Sequence, residues 1–180
     1  MSTSLTHTPA TERWQFDSDV TECFEDMLLR SIPQYDVMRR AVFDLGCLFV
    51  HPGQTILDLG CSRGDALDPF VRKYGAFCTY YGVEVSEPML AACRARFTSL
   101  RQSDTYGLTH APSVTIEALD LRTAYPQIAA HLTLAILTLM FIPLERRLEL
   151  IRQIYVHTVT GGIVLLVEKV LGNTADLNAA

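Results

Sequence analysis

The sequence contains 180 residues, of which 49% are hydrophobic and 19% charged, and its formal net charge is -5. This length and apolar content fit one domain with a sizeable core, and the acidic balance gives no signal for direct nucleic-acid binding. No apolar stretch reaches the roughly 20 residues that span a bilayer, and the start of the chain lacks a secretory signal, so we expect a cytoplasmic protein.

The chain begins with a polar segment, continues with helices and then alternates strands with helices. Residues 1–12 are rich in Thr and Ser and are expected to be disordered, and residues 13–50 are expected to form a helical cap. Apolar residues at helical spacing predict helices at 19–31, 34–50, 65–74, 87–99 and 144–158. Short apolar runs predict strands at 55–59, 79–85, 114–121, 132–140 and 163–170, with a polar loop at 102–112 and a turn at Gly161-Gly162.

The alternation of strands and helices predicts right-handed crossovers and a mostly parallel sheet covered on both faces. We therefore expect an α/β fold that is Rossmann-like and doubly wound, with about five strands and two N-terminal helices. Residues 51–171 would form the ligand-binding domain, and residues 172–180 a tail.

A glycine-containing loop joins the first predicted strand to the next helix, in the segment Asp58-Leu59-Gly60-Cys61-Ser62-Arg63-Gly64. Glycine lets the backbone pass close to a ligand, and N–H groups at a helix start can receive a polar group. Glu84 ends the second predicted strand, where nucleotide-binding folds place an acid against the ribose hydroxyls. Replacing Glu84 by Ala is expected to weaken ligand binding without unfolding the protein.

The details of this loop favour one ligand class over another. A dinucleotide fingerprint needs G-x-G-x-x-G, but Ser62 replaces the middle glycine and Asp58 precedes the loop. A carboxylate here repels a pyrophosphate and suits a ligand with ammonium and sulfonium groups. An NAD-binding oxidoreductase domain is therefore the disfavoured alternative.

The pattern D-x-G-x-x-x-G, followed by an acid at the end of the next strand, resembles class I S-adenosylmethionine (SAM)-dependent methyltransferases from about residue 50 to residue 170. The resemblance implies that SAM is the cofactor. It also implies that Asp120 contacts the adenine amino group and that Leu121 offers its backbone. The ligand-binding residues implied so far are Asp58, Gly60, Cys61, Ser62, Gly64, Glu84, Val85, Asp120 and Leu121.

A narrower resemblance extends over residues 14–170, to the carboxy-SAM synthases of tRNA wobble-uridine modification. It is carried by Trp14-Gln15-Phe16-Asp17, Arg30-Ser31-Ile32-Pro33-Gln34-Tyr35, the loop serine, Phe141 with Arg146 and Arg147, and Leu166-Val167-Glu168-Lys169. It implies transfer of a carboxyl group from prephenate to the SAM methyl group, a small-molecule substrate in a modified-nucleoside pathway, and a homodimer. Tyr35 would contribute to the ligand pocket; the alternative is that it packs under the helix.

Two features depart from that family. The carboxy-SAM synthase family carries an asparagine in the fourth strand, where this sequence has Ile136 or Leu137. It also continues past the fifth strand into a helical region and an antiparallel strand pair, which hold an arginine for the added carboxylate. A truncated chain, a natural short form and a domain completed by a partner are the alternatives. A catalytic SAM-dependent transferase and a non-catalytic SAM-binding module therefore both stay open.

Cysteine and histidine provide no further chemistry in this sequence. None of the five cysteines forms a C-x-x-C pair and the five histidines are scattered, so neither a disulfide framework nor a metal site is predicted. No base can be named beside Cys61, which we interpret as a packing residue rather than a nucleophile. The catalytic residues are not assigned.

Overall fold

The computed structural model describes residues 17–102 and 111–170. The predictions for residues 1–12, for the tail at 172–180 and for most of the polar loop lie outside the described residues. Within these two ranges, no helix is both long and apolar enough to cross a bilayer.

Helices and strands alternate after an N-terminal helical pair. The helices are α1 (Ser18–Ser31), α2 (Tyr35–Cys47), α3 (Asp68–Tyr74), α4 (Glu87–Gln102) and α5 (Leu144–His157). The strands are β1 (Thr55–Leu59), β2 (Thr79–Glu84), β3 (Ser113–Ala118), β4 (Ala130–Ile136) and β5 (Thr158–Val167), with short 3-10 helices at Gly75–Phe77 and Leu139–Phe141. Asp17 caps α1, because its side chain accepts the backbone N–H of Val20 at 2.9 Å.

The five strands form one sheet in the order β3-β2-β1-β4-β5, and every pair is parallel. The chain moves from β1 to one edge through β2 and β3 and then returns to β4 on the other side of β1. The carboxyl ends of all strands therefore meet at one edge, with a topological switch point between β1 and β4. The predicted doubly wound α/β fold is confirmed.

The central strand β1 places successive side chains on opposite faces of the sheet. Ile56 is buried in the cluster that includes Phe70 of α3, whereas Leu57 and Leu59 belong to a second cluster with Ile154 of α5. Side chains alternate along a strand, so Asp58 shares the face of Ile56, on the side of α2 and α3. This alternation positions the acid relative to the helical cap.

Several predicted boundaries are wrong by a few residues. The third strand ends at Ala118, the helix after the loop begins at Asp68, and the fourth strand ends at Ile136. The apolar run continues past Ile136, but Leu137 has a φ of 57°, in the left-handed region, which ends the strand.

The predicted turn at Gly161-Gly162 is also wrong, because both glycines lie inside β5. The register shifts there: Ala130 pairs with Thr158, while Leu132 pairs with Ile163. The glycines therefore mark a bulge in the strand.

Candidate functional site

The glycine loop after β1 is held by backbone hydrogen bonds to β2. The N–H groups of Gly60 and Cys61 both donate to the carbonyl oxygen of Val83 at 2.9 Å, and the N–H of Gly64 donates to that of Cys61 at 2.7 Å. Positive φ angles occur at Gly60 (73°), Ser62 (47°) and Gly64 (80°). The loop is thus a tight turn at the carboxyl edge of the sheet.

Two of these glycines are required by packing against the protein itself. A Cβ atom on Gly60 would lie 2.8 Å from the hydroxyl oxygen of Thr138, and one on Gly64 would lie 2.6 Å from the ring of Phe97. The sequence pattern suggested that glycine opens the loop to a ligand. The structure adds a second reason for glycine at these two positions: the side chains of Thr138 and Phe97 already occupy the space that a Cβ atom would need.

Glu84 lies at the end of β2 and connects the loop to the start of α4. Its carboxylate accepts the N–H groups of Ser62 at 3.0 Å, Val85 at 2.7 Å and Ser86 at 2.9 Å. Its two oxygens share these three bonds, two at Oε1 and one at Oε2, so one lone pair of Oε2 is left for a ribose hydroxyl. The ribose contact stays a prediction, and the structure gives Glu84 a second role in holding the loop.

Asp58 is the most deeply buried acid at this edge, with 1% of its surface exposed. Its Oδ2 atom is buried and has no hydrogen-bond partner among the described residues. Burial raises the pKa of Asp58 to about 7, Arg39 opposes the rise, and Glu84 and Asp65 add to it. An ammonium group would satisfy the orphaned oxygen and the charge together, so this carboxyl fits the cationic end of an amino-acid ligand.

A cavity of about 340 Å³ lies between the helical cap and the start of α3. Tyr35 and Arg39, both half-buried, line it from α2, and Asp65 and Ala66 line it from the segment after the glycine loop. Burial raises the pKa of the Tyr35 hydroxyl, against an opposing effect of Arg39. The structure thus places Tyr35 in a cavity wall near the loop, and its contact with a ligand stays a prediction.

The residues predicted around adenine follow β3. The N–H of Leu119 donates to the carbonyl oxygen of Glu84 at 2.9 Å, which brings this segment to the carboxyl edge of the sheet. The Asp120 carboxylate is bound by the Arg122 guanidinium, with Nη2 and Oδ2 2.7 Å apart. Leu121 is half-buried and Val85 is exposed. The contact between Asp120 and adenine stays a prediction. In such a contact, the Asp120 carboxylate would bind both the adenine amino group and Arg122.

Cys61 points away from the loop into the core. Its Sγ atom lies 4.0 Å from that of Cys93, and 3% of the residue is exposed. The hydrogen bond with Cys93 and burial raise the pKa of the Cys61 thiol well above its usual range. A buried neutral thiol agrees with a packing role, so Cys61 can contribute to the loop only through its backbone. Within 17–102 and 111–170, no three potential metal ligands cluster.

The sequence analysis gave no role in the site to three polar residues, although Glu168 was part of the family resemblance. Thr138 donates its hydroxyl hydrogen to the carbonyl oxygen of Leu59 at 2.7 Å, and Glu168 accepts the N–H groups of Leu139 at 2.5 Å and Met140 at 3.1 Å. Arg39 is the third. Two of these residues could have been found from the sequence. Thr138 is a hydroxyl residue within an apolar run, and Arg39 is a cationic residue one helical turn after Tyr35.

Comparison with known proteins agrees with this geometry. Residues 56–162 match the sequence model of the methyltransferase domain family. The chain belongs to this family. The membership in the class I SAM-dependent methyltransferase superfamily that the glycine loop predicted is therefore confirmed by this family match.

The narrower resemblance is also confirmed by curated relatives. The chain is 35% identical to the carboxy-S-adenosyl-L-methionine synthase of Methylococcus capsulatus over 164 residues, which cover 91% of this chain and 64% of the relative. It is 36% identical to that of Shewanella baltica over 158 residues, 87% of this chain and 61% of the relative. The chain thus spans less than two thirds of either synthase.

A solved structure shows the same fold at lower identity. The SAM-dependent methyltransferase of Geobacter sulfurreducens, in complex with S-adenosyl-L-homocysteine, gives a TM-score of 0.52 at 22% identity. The match covers 69% of this chain and 46% of that one. At this identity the likeness supports the arrangement of the sheet and helices alone.

Proposed function

We propose that this chain binds SAM at the carboxyl ends of β1, β2 and β3, as the cofactor domain of a SAM-dependent transferase. The buried Asp58 carboxyl at the end of β1, with its orphaned Oδ2 atom, carries this proposal. A carboxyl in that place costs free energy unless a cationic group satisfies it, and the methionine moiety of SAM ends in an ammonium group.

The remaining predicted residues then divide the ligand between them. Glu84 receives the ribose hydroxyls, Asp120 and the backbone of Leu121 contact the adenine, and Tyr35 closes the pocket from α2. The backbones of Gly60, Cys61, Ser62, Gly64 and Val85 complete the binding loop. The assignments after β1, β2 and β3 are supported by the common edge at which these parallel strands end, and that of Tyr35 by its place in the cavity wall.

In methyl transfer, bound SAM would supply a methyl group on a sulfonium, and loss of that methyl group leaves a neutral thioether. Methyl transfer needs little acid–base machinery, and this chain's residues would act by holding the reacting group in line, whereas carboxyl transfer to the methyl group also requires that a methyl proton be removed. The curated relatives are named for carboxy-SAM synthesis. We therefore propose a carboxylate-bearing small molecule as second substrate, in a modified-nucleoside pathway of the cytoplasm, with the homodimer that the resemblance implies.

A non-catalytic SAM-binding module is the second candidate. Its support is local: Ile136 and Leu137 place apolar side chains where the family carries an asparagine, and Asp120 is already bound by Arg122. A module of this kind would bind SAM without turning it over.

The test begins with mass spectrometry of any small molecule that co-purifies with the chain, followed by calorimetric titration with SAM and with NAD. SAM binding without NAD binding is the expected result, and binding of NAD alone would contradict the proposal. Incubation with SAM and prephenate then separates the two candidates, because a synthase forms carboxy-SAM and a binding module does not.

A further inference from the structure

We propose that Arg39 binds the α-carboxylate of the methionine moiety of SAM, so that Arg39 and Asp58 together recognise both charges of a zwitterionic amino acid. This inference rests on the proposed function and adds a binding residue to it. The sequence patterns that predicted the site contain no residue for this carboxylate.

The fold places Arg39 on the ligand side of the cap. Arg39 follows Tyr35 by four residues in α2, so both side chains lie on one face of the helix. Both line the cavity of about 340 Å³ beside the segment that follows the glycine loop. The strand alternation turns Asp58 toward the same helices, so Arg39 and Asp58 approach the methionine end of the site from different elements.

The electrostatics support the same placement. Arg39 lowers the pKa of both Asp58 and Tyr35, against the effect of burial, which requires its charge to lie near both groups. A cationic and an acidic side chain that influence each other without forming an ion pair match a ligand that carries the two opposite charges.

Most other charges around the cavity already have partners. The ion pairs there are Glu25 with Arg63 at 3.9 Å, Asp65 with Arg96 at 2.6 Å and Asp68 with Arg72 at 2.6 Å. In contrast, Arg39 forms no hydrogen bond or ion pair with any residue in the described ranges. The guanidinium of Arg39 is thus available to a ligand, and its planar fork fits a carboxylate with two parallel hydrogen bonds.

The experiment compares two ligands that differ only in this carboxylate, SAM and decarboxylated SAM, by calorimetry on the full chain. Wild-type protein is expected to bind decarboxylated SAM about ten- to a hundredfold more weakly than SAM, the range for a hydrogen bond to a charged group. Arg39→Met should weaken SAM by a similar factor and leave decarboxylated SAM unchanged. Arg39→Lys should retain part of the preference, because it keeps the charge and loses the fork.

Arg152→Met is the control. Arg152 lies on α5 and is not among the residues that line the cavity, its side chain is 67% exposed and it pairs with Glu149 at 3.9 Å. This variant should bind both ligands as the wild type does, and thermal unfolding of each variant checks that it is folded.

Two results would overturn the inference while SAM binding stands: equal weakening of both ligands in folded Arg39→Met, which indicates a structural role, or no effect on either. Failure of the wild type to bind SAM would instead overturn the proposed function, and this inference with it.

Discussion

Asp58 combines nearly complete burial with an ionisable group, and its behaviour decides how the site responds to pH. In the folded protein, burial raises the pKa of the Asp58 carboxyl from its ordinary value of 3.8 to about 7, so the carboxyl keeps its proton up to about that pH. Since the folded state binds more protons in this window, the contribution of Asp58 to the free energy of unfolding falls as pH rises from about 4 to about 7.

We expect Asp58→Asn to reduce this pH dependence, because asparagine has no proton to lose. Urea unfolding at a series of pH values measures this pH dependence of stability, with wild-type protein as the reference.

SAM affinity of the wild type should rise as pH approaches about 7, since only the ionised carboxylate pairs with an ammonium group. A SAM affinity in Asp58→Asn that equals the wild-type value would contradict the role given to this acid.

Glu84 has two roles at the residue scale, and its replacement separates them. Ala removes the acceptor of three backbone N–H groups as well as the predicted ribose partner. We therefore expect Glu84→Ala to lose about 1–2 kcal/mol of stability in addition to SAM affinity, in contrast to the purely local effect that the sequence suggested.

Chemical denaturation and calorimetry measure the two effects of Glu84 separately. Glu84→Gln is the matched control, because it keeps one acceptor oxygen and the side-chain volume, and it should lose less stability than Glu84→Ala. An unchanged denaturation midpoint in Glu84→Ala would show that the loop is held without this carboxylate.

At the scale of elements, the glycine loop is fitted to its neighbours by close contacts. Gly53, in the turn before β1, offers a comparison: its φ is 86°, but a Cβ atom there would have nothing within 4 Å. Gly64 has a similar φ of 80° and a ring carbon of Phe97 at 2.6 Å. The two positions share the backbone conformation and differ in the space around it.

We expect Gly64→Ala to cost about 1–3 kcal/mol more stability than Gly53→Ala. Both variants strain the backbone, and only Gly64→Ala also forces its neighbours apart. Urea unfolding of both variants provides the comparison. Equal losses would mean that Phe97 moves aside without cost and that backbone conformation alone requires glycine there.

At the scale of the whole molecule, the sheet has an edge at β5, which pairs only with β4 among the described strands. Val164 and Leu166 of this strand are exposed, as are Leu148 and Tyr155 of the neighbouring α5. A hydrophobic edge strand pairs readily with another chain unless something covers it.

We therefore expect self-association of this 180-residue chain that rises with concentration, and a smaller tendency in Leu166→Lys. Sedimentation velocity over a range of concentrations measures both. Arg40→Met, which changes an exposed residue of α2 rather than the edge strand, serves as the surface control and should associate as the wild type does. A concentration-independent monomer in the wild type would contradict the expectation.

Much of this architecture followed from local patterns. The alternation of strands and helices, the glycine turn between β1 and α3 and the acid that ends β2 are all features of neighbouring residues. The boundaries at Leu137 and Gly161 were not predictable in this way, because both depend on pairing between β4 and β5.

The fold class, the family and the chemical types around the loop follow from the order of the amino acids, since these depend on periodicity and on motifs of a few residues. Contacts between groups that are far apart in the chain became visible in the three-dimensional arrangement alone. Thr138 reaches the carbonyl oxygen of Leu59 across 79 positions of sequence, and Arg39, in a helix that precedes the sheet, lowers the pKa of Asp58 in the first strand. Such contacts depend on strand order and on the face to which each side chain turns, and no local pattern encodes both.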